Sequence, residues 1–245
     1  MPRISVCIAT YNGSSYIEEQ LKSIIEQISN NDEIIISDDS STDNTIQIIK
    51  SFNDSRIKLY ENNKFRNYVK NFEFALSKAS GKYIFLSDQD DIWLPNKVNK
   101  MLEELLNYNL VMSDCKYVTE HLNVFNESYF INANVKIGFL NNFIKNSYLG
   151  CCMAFDNKIL NHSLPFPNKL NSHDHWIGLI GELYGKTKFI KEPLILFRRH
   201  GLNSSRINEN DSMVTRKSSS NLITIVYNRI NILSNLILNY CRDLL

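Results

Sequence analysis

Ile4-Ser5-Val6-Cys7-Ile8-Ala9-Thr10-Tyr11-Asn12-Gly13 begins as a β-branched apolar run and stops at polar residues and an Asn-Gly pair. A short run that is apolar at successive positions suits a strand buried on both faces. A helical pattern follows, with Ile17, Leu21, Ile24, Ile25 and Ile28 at three- and four-residue spacing. Ser15, with Glu18 three residues on, has the form of a capping box. The unit then repeats. Residues 33–37 predict a strand, Asp38-Asp39-Ser40-Ser41 a turn, and 42–52 a helix with Ile46, Ile49 and Phe52 inward. Residues 57–60 predict a third strand, 68–79 a third helix, and 82–87 a fourth strand running into Asp88-Gln89-Asp90-Asp91. Strands alternating with helices imply an α/β fold with a mostly parallel, Rossmann-like sheet and right-handed crossovers. Ligands of such sheets lie at the carboxyl ends of the strands. Thr10-Tyr11-Asn12, Asp38-Asp39 and Asp88-x-Asp90 each follow a strand directly, so all three are expected on one edge of the sheet.

Past residue 110 the rhythm changes. Short strands are expected at 110–113, 149–155, 188–190 and 194–198, with one clear helix at 175–184, so this half reads as mixed. Residues 207–221 are polar and read as a linker. In the last helix Ile223, Val226, Ile230, Leu233 and Ile237 mark one face, and Leu222, Ile225, Ile232 and Leu236 broaden it. The expected organisation is one domain over 1–206, in a regular half (1–113) and a mixed half (114–206), then a linker and amphipathic helix over 207–245.

At 245 residues the chain can bury a core without staples. Lys and Arg number 27 against 26 Asp and Glu, a formal charge of +1, so no global field exists to hold nucleic acid. Five cysteines, Cys7, Cys115, Cys151, Cys152 and Cys241, give an odd count with no CxxC spacing, which points to a reducing, cytoplasmic setting. The N-terminal residues lack a signal-peptide pattern, and no stretch has the length and apolarity of a membrane span.

Three carboxylates at one strand end repel unless a cation neutralises them. Asp88, Asp90 and Asp91 therefore suit a hard divalent ion, Mg²⁺ or Mn²⁺, which takes oxygen ligands and shares its shell with substrate phosphates. The alternative is a solvated acidic turn capping the helix that starts near Pro95. Asp38 to Asp43 has a similar alternative, because Asp and Ser are preferred N-caps. One carboxylate suffices for a cap, and the surplus lets Asp39 accept hydrogen bonds from ribose hydroxyls or a base.

Ile4 to Asn12, Asp38-Asp39-Ser40-Ser41-Thr42-Asp43 and Leu86-Ser87-Asp88-Gln89-Asp90-Asp91-Ile92-Trp93, in that order and spacing, resemble the family 2 glycosyltransferases of GT-A fold. The resemblance continues through Gly150-Cys151, His173-Asp174-His175-Trp176 and Glu192 to Ser204, covering about residues 3–206. These later segments are most similar to bacterial surface-polysaccharide enzymes described as rhamnosyltransferases. The resemblance implies that Thr10, Tyr11, Asn12 and Asp39 line the nucleotide pocket and that Asp88 reaches the ribose and the metal side. It implies Asp90 and His200 as metal ligands, Arg198 and Arg199 as partners of the donor diphosphate, and Asp174 as the base of an inverting displacement. The implied partners are a dTDP-, UDP- or GDP-linked sugar donor and a glycan or polyprenyl-diphosphate-linked acceptor. The last helix would then lie on the cytoplasmic membrane face or pack on protein.

Two other functions compete: a sugar-1-phosphate nucleotidyltransferase, for which Asn12-Gly13-Ser14-Ser15 is a poor phosphate loop, and a non-catalytic nucleotide-sugar-binding protein. Asp174 can also be read as a helix N-cap, and Trp176 as core or as a sugar-stacking wall. Cys151 and Cys152 read as small buried residues. Family members often carry Gly in the loop before the third helix; residues 62–68 have none, and Asn67 is expected to take its left-handed conformation.

Overall fold

The structure, a computed structural model, describes residues 3–201 and 229–238. The linker at 207–221, the first turns of the last helix, Ser204 and Cys241 lie outside the described residues. Among these residues the N-terminal half runs β1 (Ile4–Thr10), α1 (Ile17–Ile25), β2 (Glu33–Asp38), α2 (Thr45–Ser51), β3 (Ile57–Tyr60), α3 (Tyr68–Ser77) and β4 (Tyr83–Ser87). Then come β5 (Ile92–Trp93), α4 (Lys97–Glu104), β6 (Leu110–Thr119), β7 (Val124–Asn126), α5 (Tyr129–Ala133) and α6 (Phe139–Ile144). A 3-10 turn at Gly150–Cys152 leads into β8 (Met153–Asp156), α7 (Asn157–Ser163), α8 (His173–Tyr184) and β9 (Thr187–Arg199), and residues 229–238 are helical.

The sheet order is β3-β2-β1-β4-β8-β6-β9-β5, with β7 on β6. From β3 to β4 every pairing is parallel, as the alternation of strands and helices implied. Beyond β4 the sheet is mixed: β8 runs antiparallel to both β4 and β6, while β9 is parallel to β6 and antiparallel to β5. Apolar residues of β1, β2 and β4 are buried on both faces, with Val6, Ile8, Ile34, Ile36, Ile84 and Phe85 at 0% exposure, which is why these strands read as continuous apolar runs.

Register places the polar clusters side by side. Thr10 pairs with Asp38 and Ile8 with Ser87, so the residues that follow β1, β2 and β4 emerge together. At the far side Ile92 pairs with Leu196 and Trp93 with Ile195, so β9 delivers the arginine segment against the residues that follow β4.

Several local expectations change. The Ser15/Glu18 capping box does not form: α1 starts at Ile17 behind Tyr16, which makes no side-chain cap. The preceding amides bond across the fold instead, Gly13 N–H to Thr45 Oγ1 (2.8 Å) and Ser14 N–H to Asp43 Oδ2 (3.1 Å). The second helix starts three residues later than expected, at Thr45, because the amide of Thr42 donates to Asn12 Oδ1 (2.8 Å). Arg66 (φ 49°) and Asn62 (φ 67°), not Asn67, hold the left-handed positions of the third loop, and Asn67 is the extended N-cap of α3. The last helix packs through Ile232 and Leu236, 6% and 5% exposed, whereas Ile230, Leu233 and Ile237 face outward. It carries apolar residues on two sides, and one of them is buried against the described residues. Among the described residues no helix is long and apolar enough to cross a membrane.

Candidate functional site at the carboxyl edge of the sheet

Thr10 is buried and donates from Oγ1 to Asp38 Oδ2 (2.8 Å). Asp38 also accepts from the amide (2.8 Å) and hydroxyl (2.5 Å) of Ser41. Asn12 takes a left-handed conformation, donates its amide to Ser41 Oγ (2.8 Å) and accepts from Thr42 N–H. Asp39, 8% exposed, accepts from the amides of Phe65 (2.6 Å) and Asn67 (3.2 Å) and so pins the loop before α3. Tyr11 is left exposed, and Gln89 clasps its backbone: the Tyr11 amide donates to Oε1 (2.9 Å), and Nε2 donates to the Tyr11 carbonyl (3.1 Å). A Cβ at position 13 would lie 2.4 Å from Gln89 Oε1, so only glycine lets this clasp close. The structure therefore brings Thr10, Tyr11, Asn12 and Asp39 together, with Thr10 and Asp39 bonded to the protein itself.

The acids after β4 are in a different condition. Asp91 is fully buried; Oδ1 accepts from the Arg198 amide (3.0 Å), while Oδ2 has no hydrogen-bond partner among the described residues by ordinary geometry. Asp88, Asp91 and Cys151 each place a ligand-type atom within 4.8 Å of one another, a set of two carboxylates and a thiol that could hold a metal ion. Burial, then the negative charges of Asp90 and Asp174, push the Asp88 carboxyl up to about 8. Burial, then Asp90 and Asp88, push Asp91 well above the usual carboxylate range. Beneath them Lys97 is fully buried, with Nζ 3.4 Å from the Cys151 carbonyl, 3.3 Å from Met101 Sδ and 5.0 Å from the Trp93 ring centroid. Burial holds its pKa below the ordinary lysine value. Cys7, Cys115, Cys151 and Cys152 are buried and none is in a disulfide.

β9 ends at this cluster. His200 Nε2 lies 2.9 Å from Asp90 Oδ2, so the two residues expected to share a cation are in contact. Arg198, 3% exposed, pairs through Nη2 with Glu19 Oε2 (2.6 Å) and sits 4.8 Å above the Tyr16 ring. Arg199 is half-buried, its guanidinium 5.3 Å from the Phe197 ring centroid.

Asp174 is buried in the first turn of α8, whose N-cap is Ser172. It is thus an anion at the positive end of the helix rather than the cap itself. Its Oδ1 accepts from the Ser172 hydroxyl, from the His175 amide (2.6 Å) and from Asn146 Nδ2 (3.4 Å). The 3-10 turn at Gly150 lies against this helix start: a Cβ there would meet His173 Nε2 at 2.9 Å and Asp174 Cβ at 3.6 Å. His173 stacks on Phe72, centroids 4.2 Å apart, and His175 Nε2 lies 2.8 Å from the Asn142 carbonyl oxygen. Trp176 is core, 1% exposed, with Nε1 donating to the Ser163 carbonyl (2.9 Å).

Gln89, Glu19, Tyr16 and Lys97 were not singled out from the sequence. Gln89 stood between two acids that drew attention to themselves. Glu19 and Lys97 lie in helices, and the partners that bring them to the site, Arg198 and the Cys151 carbonyl, lie far along the chain.

The family model for glycosyl transferase family 2 matches residues 5–164. The chain is 30% identical over 182 residues to the Escherichia coli UDP-Glc:alpha-D-GlcNAc-diphosphoundecaprenol beta-1,3-glucosyltransferase WfgD, covering 72% of this chain and 69% of that protein. It is 44% identical over 106 residues to the dTDP-rhamnosyl transferase RfbG of Shigella flexneri, 40% of this chain and 37% of that one. In fold it is similar to S. aureus TarS 1-349 in complex with UDP-GlcNAc, with a TM-score of 0.67 at 20% identity over 84% of this chain and 62% of that one. It is likewise similar to the mannosyltransferase PcManGT of Pyrobaculum calidifontis in complex with GDP-Man and Mn²⁺, with a TM-score of 0.57 at 21% identity over 81% and 56%. The chain thus spans under two thirds of three of these four proteins. A parallel sheet from β3 to β4, acid clusters at the ends of β2 and β4 and a match over most of the chain agree, and the chain belongs to glycosyl transferase family 2.

Proposed function

We propose that the protein is an inverting, divalent-metal-dependent glycosyltransferase that moves a sugar from a nucleoside-diphosphate donor to a hydroxyl of a glycan or polyprenyl-diphosphate-linked acceptor in surface-polysaccharide synthesis. The observation that carries the reading is the contact of Asp90 with His200 (2.9 Å) beside Asp88 and Asp91, on the sheet edge where Asp174 also acts on Asp88. The residues fit a metal: hard carboxylate oxygens, one imidazole nitrogen and a buried Asp91 Oδ2 that takes no hydrogen bond from a described residue by ordinary geometry. Asp90 and His200 would hold Mg²⁺ or Mn²⁺, with Asp88 on the ribose and metal side. A bound ion of this kind supplies Lewis-acid stabilisation of the diphosphate leaving group.

The chain's own groups do the rest. Tyr11, Asn12, Thr10 and Asp39 form the nucleotide side, with Tyr11 the exposed surface against which a base can lie. Arg199 is the more open of the two arginines and is proposed for direct contact with the diphosphate; Arg198, held on Glu19 and Tyr16, adds positive charge behind it. Asp174 accepts the acceptor hydroxyl proton as that oxygen attacks the anomeric carbon opposite the diphosphate, which inverts configuration. Donors on Asp174 Oδ1 fix the carboxylate's orientation, which is the positioning a base requires.

The activities of WfgD and RfbG support a pyrimidine-linked donor, UDP-glucose-like or dTDP-rhamnose-like, and that of WfgD supports a lipid-diphosphate acceptor. The outward face of Ile230, Leu233 and Ile237 supports peripheral contact with the inner membrane face, and the catalytic domain is proposed to extend over 1–206. A thermal-shift screen of dTDP-, UDP- and GDP-sugars with Mn²⁺ tests the donor, because a ligand of the folded state raises Tm by mass action. Asp174→Asn should then keep donor binding while transfer falls by about 10²–10⁴-fold, the usual contribution of a general base. Retained transfer would overturn the base assignment.

A further inference from the structure

His200 reaches Asp90 from the end of β9, beyond the last sheet pairing, at Thr119 with Arg199. Backbone pairing therefore does not fix its ring, and something else must. The Tyr16 ring lies against it, centroids 4.4 Å apart with the planes inclined at 31°. Tyr16 is itself held from its other neighbour, Arg198, whose guanidinium sits 4.8 Å from the same ring. Arg198 is anchored by Nη2 on Glu19 Oε2 (2.6 Å), by Nη1 on the Glu120 carbonyl (3.4 Å) and by its amide on Asp91 Oδ1 (3.0 Å). Tyr16 and Glu19 lie at the start of α1, three residues apart and so on one face. Guanidinium over an aromatic face and stacked rings are both attractive arrangements.

We infer that Tyr16 is a positioning residue that holds the His200 imidazole in its metal-binding orientation, through the chain Glu19–Arg198–Tyr16–His200–Asp90. The inference rests on the proposal that His200 is a metal ligand, and adds that the loop after β1 serves the metal side as well as the nucleotide. Neighbours that only orient a metal-bound imidazole are worth about 10–100-fold in metal affinity.

The test uses the whole chain carrying Tyr16→Phe, Tyr16→Leu or His200→Gln. Two readouts apply: binding of Mn²⁺ alone, followed by electron paramagnetic resonance of the free ion, and the imidazole proton resonances of the metal-free protein. The chain has five histidines, and the resonance missing in His200→Gln identifies that of His200. Tyr16→Leu should move this resonance as the ring current is lost, and weaken Mn²⁺ binding about tenfold. Tyr16→Phe keeps the ring and should leave both near wild type. An unmoved His200 resonance in Tyr16→Leu, or a moved one with unchanged Mn²⁺ affinity, overturns the positioning role. Unchanged Mn²⁺ affinity in His200→Gln overturns the ligand assignment and the inference with it. Weakening in His200→Gln but not in Tyr16→Leu overturns the inference alone.

Discussion

Two acidic turns, Asp38-Asp39 after β2 and Asp88-x-Asp90-Asp91 after β4, look alike in sequence and are opposites in the fold. Every carboxylate of the first is used by the protein: Asp38 binds Thr10 and both donors of Ser41, and Asp39 binds two amides of the loop before α3. The second crowds its carboxyls together. Asp90 meets only the ring of His200 among the contacts described above, Asp91 takes one backbone amide, and Asp88 is raised by burial and by its acidic neighbours. An acid cluster that the chain satisfies is scaffold. One that it leaves in mutual repulsion is prepared for a positive guest.

The comparison can be broken most directly at Asp90. Asp90→Asn should abolish Mn²⁺ binding and lower transfer by about 10³-fold, several kcal/mol of lost metal stabilisation, with Tm unchanged or raised as repulsion falls. A lower Tm with intact Mn²⁺ binding would show that the second cluster is scaffold too. Asp38→Asn should do the reverse. Loss of charge-assisted hydrogen bonds in a buried site costs about 2–3 kcal/mol and lowers Tm by about 5–10 °C, while Mn²⁺ affinity holds. A calorimetric Tm within a degree or so of wild type would sink that assignment.

The smallest effect is a pH dependence. The folded Asp88 carboxyl titrates near 8, above its ordinary unfolded value, so the folded state holds its proton more tightly. Its contribution to stability is therefore present below about pH 4 and is lost as pH rises through about 8. The metal-free protein should lose Tm across that window, and Asp88→Asn should flatten the loss. A Tm that rises over the same window in metal-free protein would contradict the raised pKa.

The parallel half was legible because its signals are local. β1 and β3 fall on the residues expected for them, and the polar residues that follow β1, β2 and β4 share an edge because parallel strands point the same way. The mixed half was less so. β6 runs to Thr119 and β9 spans Thr187–Arg199, longer than the apolar stretches at their starts, because each is extended by pairing with the other. The short helices α5, α6 and α7 carry too few turns to show a period. The expected Ser15/Glu18 cap does not form because α1 starts at Ile17 behind Tyr16, while Thr45 and Asp43, about thirty residues away, hold the amides of Gly13 and Ser14 just before it.

Local chemistry in the sequence determined the alternation of strands and helices in the parallel half, the placing of acids at strand ends and the position of Asp174 at a helix start, since each depends on neighbours within a few residues. Only the tertiary structure decided which acids are satisfied, which side of the last helix is buried, and that Arg198 turns to Glu19 and Tyr16. Those outcomes depend on donors and packing surfaces that arrive from distant parts of the chain, and residue spacing carries no record of them.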